Sequence, residues 1–332
     1  MPRRLIFPAL FLLGCCLAAR ATSGPVPVVL ATDIGGDVDD TWALAQLLRT
    51  PGLDLKMVLT ETGEARYRGA VTAKLLEAAG RTDVAVALGT DFGVTSEEYR
   101  VQGPWVRDYD LDAYPGPVHA DGIGAFIALV MNSPQPVTVI AIGPAPSLGA
   151  ALQREPRLAA RCRFVGMFGS FDVGYDGSPV PVPETNVRFH TDLLRVVLAA
   201  PWQDILLTPL DTCGLVTLRD KNYHAVWSAT SDPLLRAVIE NYCIWAPRVP
   251  WMKCDFFAVR SSVLFDCVAV HLAQSENFVE IEPVRYQITS DGMTVRDPAG
   301  PLQARVALRW RDQAAFERHL TQVLLTPPPG QP

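Results

Sequence analysis

The segment that most limits the possible folds is Val26–Asp40, VPVVLATDIGGDVDD. Its first six residues are aliphatic and β-branched with no polar alternation, as a strand buried on both faces requires. The chain then places four carboxylates (Asp33, Asp37, Asp39, Asp40) and two glycines (Gly35, Gly36) within eight residues, and helical spacing follows from Thr41 to Leu48. A buried strand that ends in acids just before a helix belongs at the carboxyl edge of an open α/β sheet, where ligands bind.

The remaining pattern repeats this strand–helix alternation. Strands are expected at Leu55–Leu59, Val84–Leu88, Val137–Ile142, Phe164–Phe168 and Ile205–Leu207. Helices are expected at Ala70–Ala79, Gly122–Met131, Ser147–Leu152, Asp192–Ala199, Pro233–Trp245 and Val263–Ala273. The tail from Ile281 to Leu308 alternates as small antiparallel strands do. The expected fold class is α/β, an open, mostly parallel Rossmann-like sheet flanked by helices. Without a linker or repeat, one domain over residues 25–325 is the simplest organisation. The span from Gly89 to His119 is long, aromatic and punctuated by Pro and Gly, a profile typical of functional loops.

Composition narrows the partners. A chain of 49% hydrophobic and 19% charged residues is neither disordered nor a coiled coil. A net charge of −6 without a basic stripe argues against nucleic acid. Pro2-Arg3-Arg4, the apolar run Leu5–Ala19 and the small residues of Ala19-Arg20-Ala21 read as a signal peptide over residues 1–21. The expected location is therefore outside the cytoplasm, secreted or periplasmic. Cys15 after Leu12-Leu13-Gly14 keeps a lipid anchor open. Removal of that segment leaves Cys162, Cys213, Cys243, Cys254 and Cys267. Cys243 and Cys254 could close a short loop, but buried thiols are the simpler account.

Clustered carboxylates repel one another in a partly dry cleft and need a cation, a proton or a polar ligand. A hard divalent ion with oxygen ligands suits them, and Ca²⁺ tolerates a flexible, acid-rich loop. Asp39 and Asp40 could instead serve only the positive end of the next helix, which leaves Asp33 and Asp37 without a role. The loop is not an EF-hand, because the twelfth position counted from Asp33 is Leu44 rather than a bidentate Glu. Nor does it cradle phosphate, since no Lys follows the glycines and the acids would repel the ligand.

TDIGGDVDD after an apolar strand resembles the amino-terminal signature of the inosine–uridine-preferring nucleoside hydrolase family. Five further stretches agree in order and approximate spacing: Ala78–Gly89, HADG at His119–Gly122, Val137–Leu152, PVPETNVRFHTD at Pro181–Asp192, and LFDCVAV at Leu264–Val270. The resemblance implies a nucleoside hydrolase-type fold and a Ca²⁺-dependent enzyme that splits ribonucleosides or related N-ribosides into ribose and free base. Asp33 matches the metal ligand that also takes a proton from the attacking water. Asp40 and Asp266 match metal carboxylates, and Ile142 stands where a backbone carbonyl faces the metal. Asp39, Glu184 and Asn186 match groups that hold the sugar hydroxyls. The implied partner is a small nucleoside or N-riboside; no residue decides whether the chain forms a homo-oligomer.

The chemistry is coherent on its own terms. A divalent cation lowers the pKa of bound water, a carboxylate can take the released proton, and surrounding acids stabilise an oxocarbenium-like sugar. Several positions depart from the family pattern. Ala31 replaces an Asp two residues before Asp33, Ser147 replaces an Asn, and Thr62-Gly63 stand where many members carry Gly-Asn. Phe265 precedes Asp266 where a His, the proposed leaving-group acid, is common. The motif loop is two residues longer than the commonest form, which gives Asp37 a possible share in the site. These departures support an alternative reading, a catalytically weak or inactive homologue that keeps a metal-and-ribose pocket. His119 as a proton donor, and Trp105, Tyr109 and Trp245 as base-stacking groups, are further candidates, each with an ordinary turn or packing role as its alternative.

Overall fold

The computed structural model describes residues 24–92, 100–249 and 258–327. The signal-peptide expectation over residues 1–21 and Cys254 lie outside the described residues. No helix among the described residues is long and apolar enough to cross a membrane.

Among the described residues, ten strands form one sheet in the order β4-β3-β2-β1-β5-β6-β7-β10-β8-β9. The central strand β1 (Val26–Thr32) pairs in parallel with β2 (Leu53–Thr60) on one side and β5 (Val137–Ala141) on the other. From β2 the sheet extends through β3 (Ala85–Ala87) to β4 (Val118–His119). From β5 it runs through β6 (Cys162–Met167) and β7 (Asp204–Thr208). Strand β10 (Leu302–Trp310) adds in parallel to β7, and the antiparallel pairs to β8 (Val279–Ile288) and β9 (Thr294–Arg296) complete the sheet. The mostly parallel sheet with an antiparallel tail is as the sequence led us to expect.

The chain leaves β1 toward β2 and later returns to β1's other side as β5. This reversal opens a crevice beyond the carboxyl end of β1. Burial on both faces of β1 explains its unbroken apolar run: Val28 and Leu30 enter one core, Val29 and Ala31 the other. The first core is covered by α1 (Asp39–Arg49), α2 (Ala65–Ala78), α9 (Pro233–Trp245) and α10 (Phe265–Gln274). The second is covered by α3 (Gly122–Asn132), α4 (Pro146–Arg154) and α6 (Thr191–Ala199). The short helices α5 (Thr185–Phe189) and α7 (Leu210–Cys213), with α8 (Asp220–Ser228) and α11 (Gln313–Leu325), complete the set.

Two differences from the sequence expectations bear on the site. Helix α2 begins at Ala65 rather than Ala70, because its first turn turns polar side chains inward. The aromatic candidates have packing partners: Trp105 lies under Lys74 and donates to Glu240, and the Tyr109 hydroxyl donates to Glu77. Trp245 packs on Tyr242 and donates its indole N–H to the Gly36 carbonyl at 3.1 Å. His119 belongs to the edge strand β4. Cys162, Cys213 and Cys267 are buried free thiols, and Cys243 is a half-buried one.

Candidate active site

The loop between β1 and α1 is held from beneath by its neighbours. The Tyr67 hydroxyl donates to the Gly35 carbonyl at 2.9 Å, and Gln102 Nε2 donates to the Asp37 carbonyl at 2.9 Å. Gly35 has φ +107°, and a Cβ there would meet the Tyr67 ring at 2.8 Å, so only glycine fits this turn. The Thr32 hydroxyl donates to Asp40 Oδ1 and accepts the Ile34 amide at 3.1 Å, which ties the loop's start to its end.

Asp39 and Asp40 occupy the first turn of α1, and Asp266 the first turn of α10. Two packed helices therefore direct the positive ends of their dipoles at one point. One oxygen from each of these three carboxylates lies within 4.8 Å of the others. Each residue is only 3% exposed. The Asp266 amide donates to Asp39 Oδ2 at 3.3 Å across 227 positions of sequence. Burial pushes Asp39 and Asp266 well above the ordinary carboxylate range; repulsion from Asp37 adds to Asp39, against its hydrogen bonds with Asp266, and repulsion from Asp39, Asp40 and Asp33 adds to Asp266. Asp40 is raised in the same way, against the opposing Thr32 bond. Asp37 rises to about 6, chiefly by burial.

Asp33 stands apart from this group of three. Its side chain is 24% exposed, and its Oδ2 is 3.9 Å from a guanidinium nitrogen of Arg68. Burial raises its pKa while the Arg68 charge opposes the rise. Gly143, just after β5, lies against it: a Cβ there would come within 2.4 Å of Asp33 Oδ1. The neighbouring Ile142 carbonyl accepts a bond from Asn186 Nδ2 at 3.3 Å. Glu184 caps α5, where its carboxylate receives the amides of Asn186 at 2.7 Å, Gly169 at 3.1 Å and Val187 at 3.2 Å. Burial raises Glu184 to about 7 despite these bonds. Thus Asp39, Asp40 and Asp266 meet directly. Asp33 lies near enough for its charge to raise both Asp40 and Glu184, and Asn186 bonds the Ile142 carbonyl next to Gly143, the residue that packs on Asp33.

Sequence reasoning missed Arg68 and Glu61. Arg68 donates through Nε to the Thr62 carbonyl at 2.6 Å and through Nη1 to the Ile34 carbonyl at 2.9 Å. A signal for it existed: traced back from Leu75 and Val71, the buried stripe of α2 passes through position 68. Glu61, one residue beyond β2, accepts the amides of Ser147 and Leu148, and burial lifts its pKa to about 8. No residue spacing announces it. On the rim, Tyr175 meets Phe265 edge to face at 6.1 Å, and Phe92 lies against His190 at 4.6 Å. His190 Nε2 shares a 2.7 Å hydrogen bond with the Thr62 hydroxyl.

The donor set suits a hard divalent ion. Three buried carboxylates face one another, and among the described residues Arg68 is a nearby cation, at 3.9 Å from Asp33, so much of their repulsion is left for an ion to offset.

Comparison with known proteins agrees with this geometry. Residues 28–318 match the family described as inosine-uridine preferring nucleoside hydrolase. The non-specific ribonucleoside hydrolase RihC of Salmonella newport is 28% identical over 57% of this chain and 60% of its own length, less than two thirds of that relative. The pyrimidine-specific ribonucleoside hydrolase RihA of Salmonella arizonae is 25% identical over 77% of this chain and 82% of its own. Among solved structures, the purine-preferring ribonucleoside hydrolase of Gardnerella vaginalis aligns with a TM-score of 0.71 at 18% identity, covering 90% of this chain and 98% of that one. The inosine-uridine preferring nucleoside hydrolase of Bacillus anthracis gives 0.70 at 18% identity, over 90% and 99%. These structures establish the shared fold, and the family match spans nearly the whole sheet and both helices that carry the acids. This chain belongs to the inosine-uridine preferring nucleoside hydrolase family.

Proposed function

We propose that this protein hydrolyses the N-glycosidic bond of ribonucleosides or related N-ribosides, releasing ribose and free base, with Ca²⁺ as its resident ion. One observation carries the reading: Asp39 and Asp40 from one end of the chain and Asp266 from the other converge to within 4.8 Å at the sheet's switch point. The family match supports it.

Asp40 and Asp266 would hold the ion, with Asp33 and the Ile142 carbonyl completing the cradle. Asp39 lies among the same oxygens and has the sugar hydroxyls as its share, together with Glu184 and Asn186. The ion's chemical contribution when bound is to lower the pKa of water and offset the clustered negative charge. Asp33, the more accessible acid, accepts the proton of the attacking water, and Arg68 keeps its carboxylate oriented. As the C–N bond breaks, positive charge grows on the ribose, and the ring of fixed carboxylates stabilises it. Clamping of the hydroxyls keeps the ring where that charge develops. Immediately before Asp266 the chain presents Phe265, packed on Tyr175, where the family pattern has a histidine, so departure would rely on the base's own ability to carry charge or on a proton from another donor.

Phe265 also favours a second reading, a pocket that binds ribosides without turning them over. Ribose release should be measured over a panel of ribosides, with and without chelator. Release that chelation abolishes is the expected result. Binding of ion and ribose without release from any riboside selects the second reading.

A further inference from the structure

Glu61 is 1% exposed, and both of its carboxylate oxygens are occupied. Oε2 accepts the Ser147 amide at 2.6 Å, and Oε1 accepts the Leu148 amide at 3.1 Å. These are free first-turn amides of α4, whose own N-cap residue, Ala145, offers no side-chain acceptor. The cap is thus delivered by another element, 86 positions earlier in the chain. Ser147 ties the joint further: its hydroxyl donates to the Thr60 carbonyl at 3.2 Å and accepts the Thr90 amide at 3.0 Å.

The joint sits directly behind the site. Between β5 and α4 run Ile142, Gly143, Pro144 and Ala145. At one end of this connection, the Ile142 amide donates to the Ala31 carbonyl at 2.8 Å. In its middle, Gly143 lies against Asp33 with no room for a methyl group. At its other end, α4 begins, held by Glu61. A Ser, Thr or Asp at position 145 would cap the helix locally. A carboxylate buried near Asp33 is a costlier solution than such a local cap, and it links β2 to α4 across the crevice as a local cap does not.

We propose that Glu61 is a positioning residue for the ion cradle: its carboxylate locks the start of α4, and the lock holds the Ile142–Gly143 backbone against Asp33. The proposal rests on the ion-dependent reading given above. Glu61 stands outside the group of carboxylates that could hold the ion, and both of its oxygens serve amides of α4.

The test compares wild type with Glu61→Ala and Glu61→Gln by two measurements without substrate: Ca²⁺ binding by calorimetry, and amide hydrogen exchange at Ser147 and Leu148. Loss of a group that orients metal ligands typically weakens ion affinity about 10–100-fold, and that is the fall expected for Glu61→Ala together with faster exchange at both amides. Glu61→Gln keeps the size but turns one acceptor into a donor, and should fall between the two. If Glu61→Ala does not fold, Glu61→Gln carries the comparison. Faster exchange with Ca²⁺ affinity within about twofold of wild type would reduce Glu61 to an ordinary helix cap and overturn the proposal, since loss of a cap loosens the helix start and leaves affinity alone. Unchanged exchange overturns it as well. Wild-type protein that binds no Ca²⁺ overturns the ion reading itself, and this proposal with it, whereas an unaffected variant of an ion-binding wild type overturns the proposal alone.

Discussion

The two ends of α10 bury ionisable groups in opposite ways. At its start, Asp266 joins Asp39 and Asp40 in a buried carboxylate cluster that, among the described residues, is short of positive charge. Five residues later, His271 sits among the rings of Phe278, Phe316 and His319, at 5.2–5.4 Å between centroids. Burial, aided by the facing His319, lowers His271 to about 4, so it stays neutral at ordinary pH. Neutrality lets an apolar pack hold an imidazole indefinitely. The acid end is built for something to arrive, because like charges held at coordinating distance are tolerable only with an ion, a proton or a ligand between them.

The contrast can be broken most severely in the reaction. If the acid end performs the chemistry, Asp33→Ala should lower ribose release by about 10²–10⁴, the usual worth of a positioned general base, while His271→Leu leaves turnover unchanged. An unchanged rate in Asp33→Ala would remove Asp33 from its role even with the family assignment intact.

Stability against pH comes next, and its sign differs at the two ends. In ion-free protein the clustered acids have raised values, Asp37 near 6, Glu184 near 7 and Glu61 near 8. Their folded form therefore binds more protons than the unfolded chain above pH 4, and stability should fall as pH climbs from there through about 8. Melting curves with chelator should show that decline, and saturating Ca²⁺ should remove the share of the acids that face the ion while leaving that of Glu61, which faces α4 amides. The same decline with the ion present would mean that the acids do not face it.

His271 works the other way. Its folded value, about 4, lies below the 6.5 of the unfolded side chain, so stability falls as pH drops through that window. The loss is about 3 kcal/mol when the shift is converted at ~1.4 kcal/mol per unit. Denaturant titrations of His271→Leu between those pH values should lack this slope.

The smallest of these effects is steric. Gly143→Ala would drive a methyl group into Asp33, and displacement of a reacting group by about 1 Å costs about 10² in rate. The fold should survive, with intact circular dichroism, and kcat should fall more than KM rises.

Much of this molecule could be read directly from its residues, for identifiable reasons. The apolar run of β1 and the strand–helix alternation expose a parallel sheet, because burial on both faces leaves a continuous pattern. Asp33, Asp39 and Asp40 were conspicuous because they are adjacent in sequence. Asp266 was accessible only through the family resemblance. Arg68 escaped notice because Glu-Ala-Arg-Tyr-Arg reads as a solvated approach to a helix, although the helical stripe includes position 68. The helices α8 and α11 were absent from the sequence expectations, though Phe316, Leu320, Val323 and Leu324 keep helical spacing in α11. Trp105, Tyr109 and Trp245 had the composition of stacking groups, and packing claimed them instead.

The sequence alone determined the strand–helix alternation of the parallel sheet, the acid loop at the end of the first buried strand, and the family, since hydrophobic periodicity and contiguous motifs are local properties of a chain. Tertiary structure alone decided that Asp266 meets Asp39 and Asp40, that Arg68 stands beside Asp33, and that Glu61 caps a helix from 86 positions away. Those contacts depend on where the sheet reverses its order and on which helix ends face the crevice, and no local pattern encodes a distance between segments hundreds of residues apart.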